Sequence, residues 1–316
     1  MIAFLFPGQG SQMVGMGRAL VDAHPICRET FDEADAALGE PLSRLIFEGP
    51  LDRLTLTEHA QPAILTTSVA AWRLLASKGF EPAFVAGHSL GEYSAHVAAG
   101  TLRFSDAVRI VRNRGRYMQE AVPVGTGAMA AILGLEPMLV QQACAEAAAG
   151  DVVSPANYNA PGQVVIAGSA AAVARAVERA KALGAKRTIP LHVSAPFHCA
   201  LMTRAETRLT PELHALAVSD PRVPVVANVD AEPKRHARAA IDALIRQVSA
   251  PVRWEEVIRR LASDHVTAYV EVGPGRVLSG LAKKIAPDAR ILNVESPEQL
   301  PAIEALFAED GASERT

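Results

Sequence analysis

Phe84-Val85-Ala86-Gly87-His88-Ser89-Leu90-Gly91 holds the deciding pattern: an apolar strand run, Phe84–Ala86, that passes straight into a G-x-S-x-G turn. A helical segment, about 91–99, follows at once. The flanking glycines free the backbone for a sharp, strained turn and for close approach by neighbouring elements. Ser89 thereby presents its hydroxyl at the carboxyl end of the sheet. The amide after it, at a helix N-terminus, can stabilise a developing oxyanion. Strand, turn and helix together make this five-residue match a candidate nucleophile elbow.

The rest of the chain alternates short apolar runs with longer helical patterns, which predicts an α/β fold with a largely parallel sheet. Ile2–Phe6 is a continuous apolar run, as a strand buried on both faces should be. The spacing of Ile64, Leu65, Val69, Trp72 and Leu75 predicts a helix over 62–77, and another is expected over 105–120. The composition then changes. Strand (128–133), helix (137–148), strand (152–157), strand (164–167), helix (170–183) and strand (186–189) follow in the βαββαβ order of the ferredoxin-like motif. Asn159-Ala160-Pro161-Gly162 supplies the hairpin turn between its middle strands. Residues 1–124 and 191–316 are therefore expected to form a discontinuous large domain, with 125–190 inserted as a small one. The large domain resumes with a helix near 202–216 and a strand near 223–227. Strands at 268–272, before Gly273-Pro274-Gly275, and at 290–294 complete it, and the polar tail after Phe307 reads as frayed.

Composition bounds the function. The chain has 316 residues, 49% hydrophobic and 21% charged, with net charge −3, enough for about two domains. That near-balance lacks the basic excess that phosphate neutralisation needs, so nucleic acid is not an expected partner. Cys27, Cys144 and Cys199 are too few and scattered for a disulfide framework or a zinc site, and no metal is expected. The run Met1–Phe6 stops at Pro7-Gly8, short of an export or membrane-spanning segment. A reducing cytoplasmic setting, away from membranes, is the natural expectation.

A serine needs a base to attack an acyl group at neutral pH. His24, His59, His214, His236 and His265 sit in polar or helical surroundings and read as surface residues. His88 and His96, on the turn and its helix, are expected to point elsewhere and pack. His198, in the apolar loop Ser194–Met202, and nearby His192 both stay open from spacing alone. Glycines on either side of Gln9, directly after the first strand, would free its amide to face a bound group. Arg114, on its own, reads as a solvated helical arginine like Arg112 and Arg116.

Several separated motifs occur in one order. They are Pro7-Gly8-Gln9-Gly10-Ser11-Gln12, Gly87-His88-Ser89-Leu90-Gly91-Glu92-Tyr93, Arg114-Gly115-Arg116-Tyr117-Met118-Gln119, Asn157-Tyr158-Asn159-Ala160-Pro161-Gly162-Gln163, Pro196-Phe197-His198-Cys199-Ala200-Leu201-Met202 and Glu271-Val272-Gly273-Pro274-Gly275. Together they resemble the malonyl-CoA:acyl carrier protein transacylase family, from Phe4 to about Val294. The resemblance implies a hydrolase-like α/β core with a ferredoxin-like insertion, and malonyl transfer from malonyl-CoA to holo acyl carrier protein for fatty acid synthesis. It implies no bound cofactor. By resemblance Ser89 is the nucleophile, His198 its base, and Arg114 the partner of the malonyl carboxylate. The amides of Gln9 and Leu90 would form the oxyanion hole, and the backbone carbonyl of Gln247 would orient the histidine.

A serine esterase shares the elbow, but would carry an HGGG-like oxyanion loop and an acid before a late histidine. Stand-alone polyketide acyltransferases, malonate decarboxylase subunits and a non-catalytic acyl-CoA-binding scaffold are the other readings. Acyl carrier proteins are acidic, so a basic docking surface is expected. Lys186-Arg187 and Lys283-Lys284 are the two basic pairs placed to flank the cleft. Phe197, before the histidine, is expected to help set pocket size.

Overall fold

The computed structural model describes residues 1–123, 125–191 and 193–313. Its strands run in chain order β1 (Ile2–Phe6), β2 (Phe84–Gly87), β3 (Gly127–Leu133), β4 (Val153–Ala160), β5 (Gln163–Ser169), β6 (Arg187–Leu191), β7 (Val225–Val226), β8 (Pro233–Lys234), β9 (Ala268–Val272) and β10 (Arg290–Val294). A six-stranded sheet has the order β10-β9-β1-β2-β7-β8, parallel throughout except for β8. A separate four-stranded sheet, β4-β5-β3-β6, is antiparallel throughout.

β1 is paired on both edges and buried on both faces, which is why its five residues are all apolar. Its alternate side chains serve two cores. Ile2, Phe4 and Phe6 join the cluster under the helix Thr57–Ser77, while Ala3 and Leu5 meet the helices Trp254–Ser263 and Val277–Ile285. The small sheet divides its faces the same way. Ala130, Ile132, Val164 and Ile166 pack under the helices Pro137–Ala147 and Ala170–Ala182. Met129, Ala131, Val165 and Ala167 turn inward to the main core. The outer edge of β4 is tied to the segment before the helix Trp254–Ser263 through Tyr158 N–H to Val252 O (2.9 Å) and Val252 N–H to Ala156 O (2.9 Å).

Prolines mark where the structure departs from the expected boundaries. The helix expected from Pro62 starts at Thr57 and takes Pro62 into its interior, because most of its residues are buried and packing outweighs one lost hydrogen bond. β6 continues through Pro190, past its expected end at 189, because it is an edge strand, where a missing N–H costs no sheet bond; Pro155 lies within edge strand β4, as expected. The strand expected near 223–227 is only Val225–Val226, and its antiparallel partner β8 carries no alternating pattern. The tail expected to fray after Phe307 continues a helix, Leu300–Ser313. No helix among the described residues is long and apolar enough to cross a membrane.

Candidate active site

The carboxyl ends of β1 and β2 sit side by side at the centre of the large sheet, so the loops after them meet. Two glycines allow the contact. A Cβ on Gly91 would lie 2.0 Å from Phe6 O, and one on Gly8 would lie 2.4 Å from His88 O. Pro7–Gln12 therefore packs directly on the Ser89 turn, with His88 N–H donating to Phe6 O (3.0 Å). Among the described residues, the amides of Gln9 and Leu90 take no part in the backbone bonds of these two loops. Leu90 caps the helix Gly91–Ala98, so its N–H lies at the positive end of the helix dipole.

Ser89 has φ 52 and His198 φ 59, left-handed values that cost a non-glycine residue on the order of 1–3 kcal/mol. Such strain persists only where surroundings dictate it. Here Ser89 Oγ meets His198 Nε2 at 2.7 Å, and His198 Nδ1 meets the Gln247 carbonyl at 2.9 Å. A carbonyl only accepts, so the proton sits on Nδ1 and the Nε2 lone pair faces the serine hydroxyl. Burial, reinforced by the nearby Arg114 cation, pushes the His198 imidazole down to about 3. The ring is neutral at physiological pH and free to accept the serine proton.

Arg114 is 1% exposed, not solvated as its isolated reading suggested. Its helix, Phe104–Ala121, presses Gly115 against the Thr57 backbone and turns Arg114 inward over the Tyr93 ring, 5.4 Å away. Its guanidinium donates to Gln61 Oε1 (2.8 Å), Gln247 Oε1 (2.9 Å) and Ser89 Oγ (3.2 Å). All three are neutral oxygens, so among the described residues a buried cation stands beside the serine with no carboxylate on its nitrogens. A cavity of about 410 Å³ opens over these groups. Gln9, Ser89, Arg114, Phe197 and His198 line it, with Leu191 and Val193 on the small-sheet side and Val277, Leu278 and Leu281 opposite.

The structure brings together Ser89, His198, Arg114, Gln247, Gln9 and Leu90. His192 lies outside the described residues. His88 does not point away as expected: it lines the cavity, packs on Trp254 and bonds Asn159 Oδ1 at 2.9 Å. His59 is buried rather than superficial, because Arg112 donates to its Nδ1 (2.9 Å) and covers it. Of the basic pairs, Lys283 and Lys284 follow Leu281 on the cavity wall, and Lys284 reaches Gln163 on the rim at 3.1 Å. Lys186 and Arg187 stand at the start of β6, about 13 Å along the strand from Leu191 at the cavity. Among the described residues, no group of three or more His, Cys, Asp or Glu side chains is placed to hold a metal ion.

Sequence reading missed the buried amides and acid behind the site. Gln61 holds Arg114. Asn228 accepts from Ser89 N–H, and Glu92 accepts from both the Asn228 N–H and the Gln247 side chain. Their signal is polar residues inside otherwise apolar segments, which carries meaning only once burial is known.

A serine hydroxyl bonded to a neutral imidazole, at a strained strand-to-helix turn beside free amides, is a site for acyl transfer through a serine ester. The chain belongs to the acyl transferase domain family, which matches residues 3–294. It is 52% identical over 301 residues, 95% of this chain and 97% of the relative, to the malonyl CoA-acyl carrier protein transacylase of Salmonella typhimurium strain LT2. A crystal structure of an acyl carrier protein S-malonyltransferase from Vibrio cholerae superposes with TM-score 0.94 at 48% identity, covering 96% of this chain and 99% of that one. A malonyl-transacylase solved in complex with its type II PKS acyl-carrier protein superposes with TM-score 0.93 at 48% identity, covering 95% and 97%.

Proposed function

We propose that this chain transfers the malonyl group of malonyl-CoA to the phosphopantetheine thiol of an acyl carrier protein, in fatty acid synthesis, through a malonyl ester on Ser89. The observation that carries the reading is the buried Arg114 guanidinium, unpaired with any carboxylate among the described residues and 3.2 Å from the serine hydroxyl. In a malonyl group the free carboxylate lies two carbon–carbon bonds from the thioester carbonyl. A planar cation touching the nucleophile is where that carboxylate must bind, and guanidinium binds it in bidentate fashion. The names of the relatives, and the neighbour solved with its carrier protein, support the same donor and acceptor.

In the first half-reaction Ser89 Oγ bonds to the thioester carbonyl carbon and the carbon–sulfur bond breaks. His198 Nε2 takes the serine proton and passes it to the departing CoA thiolate. In the second, the carrier thiol attacks the ester, its proton goes to His198, and that proton returns to Ser89 Oγ as the ester bond breaks. The amides of Gln9 and Leu90 hold the oxyanion in both, each contributing about 3–4 kcal/mol to the transition state. The Gln247 carbonyl keeps the imidazole oriented. Serine, histidine and the two thiols account for every proton and electron pair, so the scheme includes no cofactor.

We read the core as hydrolase-like and the 125–190 segment as a ferredoxin-like insertion in a domain made of 1–124 and 191–316. The βαββαβ order with antiparallel arrangement β4-β5-β3-β6 supports the second reading, and the Ser89 elbow the first. Lys283, Lys284, Lys186 and Arg187 are all exposed and are our candidates for docking the acidic carrier. Three free, buried cysteines suit a reducing cytoplasm. Intact-protein mass spectrometry after incubation with malonyl-CoA tests the scheme: wild type should gain one malonyl group and Ser89→Ala none. An adduct on Ser89→Ala would place the nucleophile elsewhere.

A further inference from the structure

β2 and β7 run parallel with Ala86 opposite Val226, so the chain segments leaving them, with Ser89 and Asn228, emerge at the same edge. Asn228 is fully buried, and its side-chain amide is spent on the Ser89 turn. Its Oδ1 accepts from Ser89 N–H and its Nδ2 donates to Gly87 O, both at 2.7 Å. These two bonds straddle His88 and clasp the turn where its backbone is left-handed. The Asn228 backbone N–H in turn donates to Glu92 Oε2 (3.0 Å), which also accepts from Gln247 Nε2 (2.8 Å). Gln247 Nε2 also donates to Ser89 O (2.8 Å), while its Oε1 accepts from Arg114. Both backbone groups of Ser89 are therefore held by side chains from across the sheet.

Resting on the serine-ester reading above, we propose that Asn228 is the positioning residue of the nucleophile, with Glu92 and Gln247 as its anchors. The chemistry requires an amide at 228. One planar head must accept from Ser89 N–H and donate to Gly87 O, which neither an aliphatic side chain nor an ionised carboxylate can do. The clasp also decides which amides face the substrate. With Ser89 N–H taken by Asn228, the Leu90 N–H is the one the turn leaves for an oxyanion. Asn228 is not itself a cavity-lining residue and reaches the cavity only through Ser89, so it acts on the angle of Ser89 Oγ and not on substrate binding.

The test is the burst of CoA released when enzyme meets malonyl-CoA without an acceptor. Its amplitude counts competent sites and its rate reports acylation. Asn228→Ala should keep the amplitude and the KM for malonyl-CoA but slow the burst by about 10²-fold, as for a misplaced reacting group. A wild-type rate with a reduced amplitude would mean a purely structural residue and overturn the proposal. Asn228→Asp covers the case in which the alanine variant does not fold. A protonated carboxyl reproduces both bonds, whereas an ionised one cannot donate to Gly87 O. Its burst rate relative to wild type should be near unity in acid and fall as pH rises; a ratio flat with pH refutes the clasp. Wild type without any burst would overturn the serine-ester reading itself, and this inference with it.

Discussion

Replacing Arg114 with Ala removes a guanidinium that is 1% exposed and whose hydrogen bonds end on Gln61, Gln247 and Ser89. In the free enzyme the loss leaves two side-chain amides with an oxygen unpaired. In the substrate complex it leaves the malonyl carboxylate buried without its cation. Truncating one partner of a buried charge pair costs about 2–5 kcal/mol. At 1.4 kcal/mol per tenfold, kcat/KM for malonyl-CoA should fall about 30- to 4,000-fold. Acetyl-CoA has no carboxylate and meets only the loosened Ser89 contact. The same substitution lifts the Arg114 charge from His198, which raises the basicity of the imidazole and favours acetyl transfer. Enzyme acylation from each thioester, followed by CoA release in wild type and Arg114→Ala, gives the two ratios directly. A Lys at 114 should recover part of the malonyl rate, since it restores charge without the planar fork. Equal losses on malonyl and acetyl substrates would refute the carboxylate partner and leave Arg114 a structural residue.

His198→Ala should slow both half-reactions by about 10²–10⁴-fold, because one imidazole serves serine and thiol in turn; slowing of the second alone would break the dyad. With His198 pushed down to about 3, wild-type acylation should show no loss centred near pH 6.5 as the solution is acidified, and such a limb would contradict the neutral, buried base. His96 is likewise held near 3 by burial, with both ring nitrogens unpartnered. Its folded value is depressed, so the unfolded chain binds the extra proton below about 6.5 and stability is lost as pH falls toward 3. The Tm of His96→Leu should therefore rise relative to wild type increasingly as pH drops from 6.5 to 4, and a constant gap would refute it. Reversing Lys283 and Lys284, or Lys186 and Arg187, to Glu should raise the KM for carrier protein several-fold at low salt and leave acylation from malonyl-CoA unchanged. The first pair, beside the cavity rim, should show the larger effect, and an unaltered KM in both double variants removes them from the docking surface.

The β1 and β2 strands, the Ser89 turn and the βαββαβ order of the small sheet's elements were legible because each is a local matter. A strand buried on both faces must be apolar throughout, an elbow with a left-handed residue needs its glycines, and the order of elements follows from where apolar runs give way to helical spacing. Prolines misled because their cost depends on context: Pro190 sits on an edge strand, and Pro62 in a helix held by packing. Arg114 and His59 misled for the same reason. A helical arginine with polar neighbours looks solvated until Gly115 presses its helix against Thr57 and buries it.

By itself the sequence determined the α/β class, the candidate serine and the order of the motifs, since these rest on periodicity and on residues adjacent in the chain. Its resemblance to one family then attached roles to His198, Arg114 and Gln247. Only the tertiary structure decided that they meet. Ser89, Arg114, His198, Asn228 and Gln247 lie on five separate segments, and their partnership is set by strand order and by the burial that leaves their polar atoms no other company. Solvent competes for any exposed amide or guanidinium, so which of them face one another is a property of the packed interior and of nothing shorter.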